Sequence, residues 1–388
     1  MIYLDHHATT PVDPRVFEAM TPWFTRQFGN ASSRTHRYGW EANDAVEVAR
    51  RQVARLVGVA AREVVFTSGA TEAAWLAITG VAAAAPADRR HLVTVATEHH
   101  AVLEPCRDLA AAGWDVTVLP VPANGLVDVD AVAGAVTDRT ALVSVMLANN
   151  EIGVLQPLAQ VAAVAHARGA LVYSDAVQAL GRVPVELPAL GIDLASFSAH
   201  KVYGPKGVGA LVVRRGVERR LRAPMRGGGQ ERGLRGGTLN VPGIVGFGRA
   251  CEIAAAELPA EAGRLRQLRD RLWRALQDGL DGLSLNGAAE PRLPGNLNVS
   301  FDDVEGEALV TGLTDVAVST GAACQSAEPS HVLTALGLPR DRALASLRFC
   351  VGRQTTADEV DRAAAHVIEV VAYLRATAPR SSRVAAGA

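Results

Sequence analysis

The stretch that decides the fold is residues 170–201, ALVYSDAVQALGRVPVELPALGIDLASFSAHK. It contains two short apolar runs, residues 170–173 and 194–197, and each is followed at once by polar residues. Runs of this kind predict β-strands, and neighbouring strands of an α/β sheet open at their carboxyl ends on one crevice. We therefore expect Asp175, after the first run, and Lys201, after the second, to share a crevice.

The same pattern extends over residues 63–213, where short β-branched runs alternate with helical stretches. This alternation indicates βαβ units and predicts an α/β fold with a mostly parallel seven-stranded sheet flanked by helices. The predicted strands are residues 64–66, 91–95, 115–119, 142–146, 170–173, 194–197 and 208–213.

The pattern changes after about residue 251. Leu265, Leu268, Leu272 and Leu276 form the apolar stripe of a long helix, and strand-like and helix-like segments at residues 296–301, 305–313 and 346–351 suggest a smaller α+β domain. The expected division is a large domain over residues 13–255, a small domain over residues 1–12 and 256–376, and a disordered tail over residues 377–388.

The overall composition excludes several classes of function. The chain has 39 basic and 40 acidic residues, so its net charge does not favour binding to nucleic acid or to a membrane surface. Its apolar runs are far shorter than the ~18 residues that span a bilayer, and residues 1–5 do not resemble a signal peptide. The cysteines at 106, 251, 324 and 350 show no paired spacing, which argues against disulfides and a metal site. We expect a cytoplasmic protein with one local site.

Lys201 and Lys206 are the only two lysines in 388 residues. An amine can lose its proton and attack a carbonyl, whereas a guanidinium does neither. The count alone is explained equally well in two ways: one of the lysines is retained for such chemistry, or both remain by chance in an arginine-rich chain. A lysine bonded to pyridoxal phosphate needs an acidic partner for the pyridine nitrogen, and Asp175 is our candidate.

Other strand ends carry residues that suit the rest of this cofactor, because a helix N-terminus can hold a phosphate and a histidine can stack and carry protons. Taken singly, each residue is explained as well by a turn, a helix cap or an exposed loop. The candidates are Gln178 and Asn150 for the phenolic oxygen, Ala70, Thr71, Ser198 and His200 for the phosphate, and His99 for the ring.

A series of short segments points to one enzyme family. The segments are residues 3–5, 8–11, 66–72, 97–99, 149–153, 175–178, 196–209, 227–238, 296–300 and 348–349. In these segments the chain resembles the cysteine desulfurases of the NifS and IscS type, fold-type I enzymes of the class V aminotransferase family. The resemblance implies pyridoxal 5'-phosphate as cofactor, L-cysteine as substrate, a homodimer, and a sulfur-acceptor protein as partner.

The resemblance also implies a role for individual residues. Lys201 would be the Schiff-base lysine, and Arg348 would bind the substrate carboxylate together with Asn30. Asn150 is a further expected substrate-binding residue. The further implied contacts are Asp175 on the pyridine nitrogen, Gln178 and Asn150 near the phenolic oxygen, His99 stacked on the ring as proton carrier, Thr71, Ser198 and His200 on the phosphate, and Thr238 on the phosphate of the neighbouring subunit.

The nucleophile that takes the sulfur is expected to be Cys324. The other three cysteines fall in predicted helices and a strand, where thiols are packing residues. Cys324 lies among small residues, 319–326, which predicts an exposed thiol; the alternative is a small residue packed under a loop. As a thiolate, Cys324 would attack the sulfur of the bound cysteine and form a persulfide, with release of alanine.

One departure from the family concerns the chain between Cys324 and residues 328–330. It is about two residues shorter than in housekeeping members, which reduces its reach. We therefore expect Cys324 to stand off from Lys201 at rest, in a strand-like conformation. This suggests a specialised desulfurase, of the kind used in DNA phosphorothioation, rather than the general supplier for iron-sulfur clusters or tRNA thiolation.

Several alternatives are weaker. A selenocysteine lyase or an aminotransferase has the same fold, and an inactive sulfur-transfer scaffold would not need the catalytic set. The glycines at 227–229 do not follow the first strand of a βαβ unit, as a dinucleotide fingerprint requires. The basic run at residues 214–222 lacks interleaved aromatics, so we expect a solvated or acceptor-docking face rather than direct nucleic-acid binding.

Overall fold

The structure is a computed structural model that describes residues 1–320 and 328–377. Its strands are β1 (Ile2–Tyr3), β2 (Val64–Thr67), β3 (His91–Val95), β4 (Asp115–Leu119), β5 (Thr140–Ser144), β6 (Leu171–Asp175), β7 (Leu194–Ser198), β8 (Gly209–Val213), β9 (Leu283–Leu285), β10 (Asn296–Phe301), β11 (Val316–Ala317) and β12 (Ser346–Cys350).

The α-helices alternate with these strands in the first two thirds of the chain. They are α1 (Pro14–Met20), α2 (Pro22–Thr25), α3 (Arg37–Leu56), α4 (Ala70–Ala84), α5 (His100–Ala111), α6 (Val129–Ala135), α7 (Leu158–Ala167), α8 (Val241–Gly279), α9 (Gly306–Gly312), α10 (His331–Ala335), α11 (Arg340–Leu344) and α12 (Ala357–Thr377).

A seven-stranded sheet forms the centre of the molecule, in the order β2-β8-β7-β6-β5-β3-β4. Its pairs are parallel except that β8 runs antiparallel to both β2 and β7. Every residue of β5, β6, β7 and β8 is buried, as expected for a parallel sheet with both faces covered. The predicted α/β fold and all seven strands are confirmed.

Some strand ends differ from the sequence prediction. The strand predicted at residues 142–146 is β5, which starts and ends two residues earlier. β6 and β7 each continue further than predicted, because the pairing of the two strands extends to Asp175 opposite Ser196 and because Ser198 pairs with Gly209. Asp175 and Ser198 are therefore the last residues of strands and not the first residues after them.

The helix α8 joins two hydrophobic cores. Its first half buries Ile244 and Phe247 against the helices and strands of the central sheet. Its second half buries the predicted leucine stripe, including Leu272, against an antiparallel sheet of order β12-β10-β9. The domain boundary expected near residue 255 thus falls inside a continuous helix, and the division into two domains stays a proposal.

The N-terminal residues run from the second core to the central sheet. β1 pairs in parallel with β11, and Ile2 and Leu4 belong to the second core. Residues 5–10, which we call the crossing segment, then pass to the carboxyl end of β7, where the main-chain N of Thr10 donates to the carbonyl of His200 at 2.9 Å. The crossing segment therefore lies over the predicted crevice.

No helix in the described ranges is long and apolar enough to cross a membrane, and the same ranges contain no cluster of possible metal ligands. The tail expected at residues 377–388 lies outside the described residues except for Thr377, the last residue of α12. One arginine of the basic run at residues 214–222 forms an ion pair, since Arg214 lies 3.1 Å from Glu63. Arg219 and Arg222 are exposed.

Candidate active site

Lys201 lies at the centre of the site, in a short 3₁₀ turn, Ala199–Lys201, that directly follows β7. Its Nζ donates to the carbonyls of His7 at 2.5 Å and Ala8 at 2.8 Å. Burial, together with the positive charges of Arg182 and Arg348, lowers the pKa of Lys201 to about 8. Near physiological pH the amine of Lys201 is therefore neutral in a larger fraction of molecules than the amine of an ordinary lysine. Lys206, the other lysine of the chain, is exposed.

Asp175 ends β6, the strand beside β7, so the two predicted strand ends do share one crevice. Its side chain is buried, and Oδ1 accepts from the main-chain N of Val177 at 3.0 Å. Burial raises the pKa of Asp175, and the charges of His99 and Lys201 oppose that rise. A cationic partner at Asp175 would favour the carboxylate form.

The crossing segment closes this crevice. The His7 carbonyl accepts from Lys201 and also from Nε2 of Gln178 at 3.0 Å. Arg182 donates to the His6 carbonyl at 2.7 Å and to Oε1 of Gln178. Gln178 is thus committed to protein groups in this structure, and its expected contact with the phenolic oxygen stays a prediction.

His6, His7 and Arg182 are site residues that the sequence reasoning did not single out. The contact of Lys201 with His7 joins residues 194 positions apart, and that of Arg182 with His6 joins residues 176 positions apart. No short-range pattern signals such pairs. A sequence signal did exist in these two adjacent histidines, which lie between the matching segments 3–5 and 8–11.

A helix N-terminus meets the end of β7. α4 begins at Ala70 with Gly69 as its N-cap, so Thr71 lies in the first turn and is not itself the cap. An added methyl group at Gly69 would make an ordinary contact with Oγ of Ser198, at 3.8 Å, whereas one at Gly209 would lie 2.7 Å from Cα of Gly69. Glycine at 209 therefore allows β8 to pass close to the start of the helix, whose free amides beside Ser198 form a candidate anion site.

His200 faces the crossing segment from the same turn as Lys201. Its Nδ1 lies 3.0 Å from the hydroxyl of Thr9. Burial and the charges of Lys201 and Lys206 lower the pKa of His200 to about 4, so its ring is neutral near pH 7. Its expected role in phosphate binding stays a prediction.

His99 is the N-cap of α5, and its Nδ1 accepts from the main-chain N of Ala101 at 3.0 Å. The neutral ring therefore carries its hydrogen on Nε2. Desolvation lowers the pKa of His99, although the negative charge of Asp175 acts to raise it. The adjacent Glu98 is fully buried and accepts from the main-chain N of Met146 at 2.5 Å; burial and the charge of Asp175 raise its pKa well above the ordinary value.

Arg348 lies on β12, across the crevice from the sheet. Its guanidinium donates to Asp5 at 2.7 Å and to the carbonyl of Asn150 at 3.0 Å. The side chain is buried. Asn30 is exposed, and its Oδ1 accepts from the main-chain N of Ser32 at 2.9 Å; its expected role beside Arg348 stays a prediction. Thr238 is also exposed.

Cys324 lies outside the described residues, and so does the expectation that it stands off from Lys201. The described residues on either side of it are both attached to the site. The hydroxyl of Ser319 donates to Asp5 at 2.8 Å, and that of Ser330 donates to the buried Glu151. The chain that contains Cys324 therefore starts and ends at the wall that carries Arg348.

The other three cysteines are buried free thiols, as expected. Burial raises the pKa of Cys106 to about 12 and that of Cys350 to about 11, and it raises that of Cys251 as well. A thiol reacts as its thiolate. None of these three is therefore suited to be the sulfur nucleophile.

The residues present fit pyridoxal 5'-phosphate. The buried Oδ1 of Asn150 has no hydrogen-bond partner among the described residues, which indicates room for a polar group beside it. Lys201 offers an amine of lowered pKa, Asp175 a buried carboxyl group on the adjacent strand, and α4 its N-terminus beside Ser198. These are the three kinds of contact that the aldehyde, the pyridine nitrogen and the phosphate require.

Comparison with known proteins gives consistent matches over almost the whole chain. The family model described as Aminotransferase class-V matches residues 2–363. A protein of Anaeromyxobacter dehalogenans named cysteine desulfurase IscS is 53% identical over 380 residues, which are 97% of this chain and 94% of that protein.

Two solved structures are similar as well. A NifS-like protein is 40% identical with a TM-score of 0.90, over 96% of this chain and 100% of that one. DndA from Streptomyces lividans is 41% identical with a TM-score of 0.77, over 88% of this chain and 97% of that one. The fold is thus shared with proteins aligned nearly end to end.

Proposed function

Because the chain belongs to the aminotransferase class-V family, we propose that it is a pyridoxal-phosphate cysteine desulfurase, which converts L-cysteine to L-alanine and passes the sulfur to an acceptor protein. The relative at 53% identity carries that name. The observation that carries the proposal is the crevice itself. The amine of Lys201 donates to the carbonyl of His7, Asp175 ends the strand beside β7, and Arg348 contacts the same Asn150 carbonyl as the ring of His7.

Pyridoxal 5'-phosphate, when bound, supplies an aldehyde that attaches the amino acid and a ring that withdraws electrons from it. The residues of this chain supply the rest. Lys201, at a pKa of about 8, holds or releases a proton at Nζ. Asp175 provides a buried carboxylate for the pyridine nitrogen. Arg348, whose two terminal nitrogens donate to Asp5 and Asn150, provides its unpaired Nε hydrogen for the substrate carboxylate.

The sulfur transfer is assigned to Cys324. Its thiolate attacks the sulfur of the bound cysteine, a sulfur–sulfur bond forms, and the carbon–sulfur bond breaks with its electron pair left on carbon. That carbon takes up a proton, so that L-cysteine and the Cys324 thiol become L-alanine and a Cys324 persulfide. The attachment of Ser319 and Ser330 to the Arg348 wall supports this assignment.

The test supplies L-cysteine and dithiothreitol to the purified protein and measures alanine and sulfide. Equal amounts of both products are expected, and Cys324→Ala is expected to lose both. Cys251→Ala, which removes a buried thiol of raised pKa, is the matched control and should keep them. Equal rates in Cys324→Ala and the unaltered protein would refute the assignment of Cys324.

We further propose that the enzyme is a homodimer in which Thr238 contacts the phosphate in the neighbouring subunit. Thr238 is exposed on its own chain. The next residue, Leu239, lines a cavity of about 880 Å³ together with residues 31–34, residues 228–232 and six residues of α3, among them Trp40. Exposed aromatic side chains such as Phe28, Tyr38 and Trp40 are typical of a protein interface.

Subunit mixing tests the shared site. Lys201→Ala and Thr238→Asp should each be inactive alone, because one removes the amine and the other repels the phosphate. A mixed dimer has one site with both residues intact, so mixing the variants should restore activity. No recovery after mixing would contradict the shared site.

The acceptor protein and its pathway stay predictions. The hypothesis of a specialised desulfurase depends on residues 321–327, which are not described, and the relatives include both a protein named IscS at 53% identity and DndA at 41%. The cytoplasmic location also stays a prediction. The exposed arginines of the basic run, such as Arg219 and Arg222, are proposed as a docking face for the acceptor.

A further inference from the structure

The corner between Arg348 and Lys201 contains three buried polar atoms with no hydrogen-bond partner among the described residues. They are Nε2 of His7, Oδ1 of Asn150 and Nε of Arg348. The three side chains meet at one peptide, since Nδ1 of His7 and the guanidinium of Arg348 both contact the carbonyl of Asn150, at 3.2 and 3.0 Å. Buried polar atoms are nearly always paired, so this corner indicates a site for a polar ligand.

The hydrogen-bond pattern fixes what His7 offers to that ligand. Nδ1 of His7 lies 3.2 Å from the carbonyl of Asn150 and 3.4 Å from Nδ2 of Asn296. A carbonyl oxygen only accepts, so the shorter contact assigns the hydrogen to Nδ1. Nε2 is then a bare acceptor. His7 is 1% exposed, and burial together with the charges of Arg182 and Arg348 lowers its pKa well below the ordinary value, so the ring stays neutral.

The unpaired atoms match the two ends of an amino acid. Nε2 of His7 and Oδ1 of Asn150 are acceptors, which suit an ammonium group, and Nε of Arg348 is a donor, which suits a carboxylate. The carbonyl of His7 also holds the amine of Lys201. A substrate nitrogen placed at the His7 ring is therefore brought next to the residue that holds the lysine.

We propose that His7 is a substrate-binding residue whose Nε2, together with Oδ1 of Asn150, receives the α-ammonium group of L-cysteine while Arg348 binds its carboxylate. This inference rests on the proposed desulfurase function. It assigns to the crossing segment a role in recognising the amino group, beyond its role in covering the crevice.

The test compares two ligands that differ in the amino group, with the cofactor-loaded protein and calorimetric titration. L-Alanine has the ammonium group, whereas 3-mercaptopropionate has a carboxylate and a thiol only. A lost hydrogen bond to a charged group predicts that His7→Phe weakens L-alanine binding about tenfold to a hundredfold and changes 3-mercaptopropionate binding less than about twofold. His7→Gln, which keeps an acceptor, should recover most of the L-alanine affinity.

His91→Phe is the matched control, because His91 is a buried histidine on β3, outside the crevice, and its two ring nitrogens lie 2.8 and 3.0 Å from the hydroxyls of Thr140 and Thr117. It should not discriminate between the two ligands. An equal loss of both ligands in His7→Phe, or no loss, would overturn the proposal. Failure of the unaltered protein to bind either ligand would instead contradict the desulfurase function itself.

Discussion

The two walls of the candidate active site are held in different ways. The sheet wall consists of the ends of two adjacent strands, with Asp175 on β6 and Ser198 on β7, and the main-chain ladder sets their separation. The opposite wall combines the crossing segment with Asn150 and Arg348. Side-chain hydrogen bonds and one buried ion pair hold it, across sequence separations of 143 to 343 residues.

Because the two walls are held differently, substitutions in them should have different consequences. A substitution at the sheet wall removes a reacting group but leaves the ladder intact, so the loss should be in activity. A substitution at the opposite wall removes a connection between distant segments, so the loss should be in stability and substrate binding.

The largest expected effect is at the sheet wall. Lys201→Ala removes the only amine in the crevice of the described structure, so desulfuration should fall by at least about a hundredfold, the lower range for loss of an acid–base group. Lys206→Ala is the matched control, because it removes the only other lysine, which is exposed. Borohydride reduction and peptide mapping should find the pyridoxyl label on Lys201; a label on Lys206 would reverse the assignment.

The sheet wall was largely predictable from sequence, and the opposite wall was not. An apolar run followed by polar residues indicates the end of a strand. Two such strand ends predicted that Asp175 and Lys201 share one crevice. The contacts of His7, Arg182 and Asp5 arise only when the second core sets the N-terminal strand beside β11. Resemblance to the family supplied both Arg348 and Asn30; the side chain of Asn30 closes a local turn on its own chain, and its role in the site stays a prediction.

The next effect concerns the ion pair that closes the opposite wall. Asp5→Asn leaves the largely buried Arg348 without its charge partner. Breaking a buried pair from one side costs about 3–5 kcal/mol, so the free energy of unfolding in urea should fall by about that amount.

An exposed ion pair serves as its control. Arg271 and Asp361 are as closely paired as Arg348 and Asp5, at 2.5 Å, but both side chains are about half exposed. Asp361→Asn should therefore lower the free energy of unfolding much less than Asp5→Asn does, because solvent screens an exposed pair. Similar losses in the two variants would mean that the pair between Asp5 and Arg348 does not hold the wall together.

The smallest expected effect is a pH dependence at Glu151. Burial raises the pKa of Glu151 to about 7, although the hydroxyl of Ser330 and the charge of Arg348 oppose the rise. Between the ordinary glutamate pKa and about 7, the folded protein holds a proton that the unfolded chain has lost, so this group makes stability fall as pH rises. Glu151→Gln, which mimics the protonated form, should remove that part of the slope in urea unfolding at pH 5 to 8.

The pH dependence of stability expected from Glu63 is opposite in sign to that expected from Glu151. Glu63 therefore serves as a control for the test at Glu151. Burial acts to raise the pKa of Glu63, but hydrogen bonds from the main-chain N of Ala60 and Arg215 outweigh it, and the pKa is lowered. The folded protein then favours the carboxylate, so Glu63→Gln should destabilise the protein more at pH 7 than at pH 4. If Glu151→Gln left the slope unchanged while Glu63→Gln behaved as expected, the carboxyl group of Glu151 would titrate at its ordinary pKa. The attachment of Ser330 to the site wall would then involve a charged carboxylate throughout the working pH range.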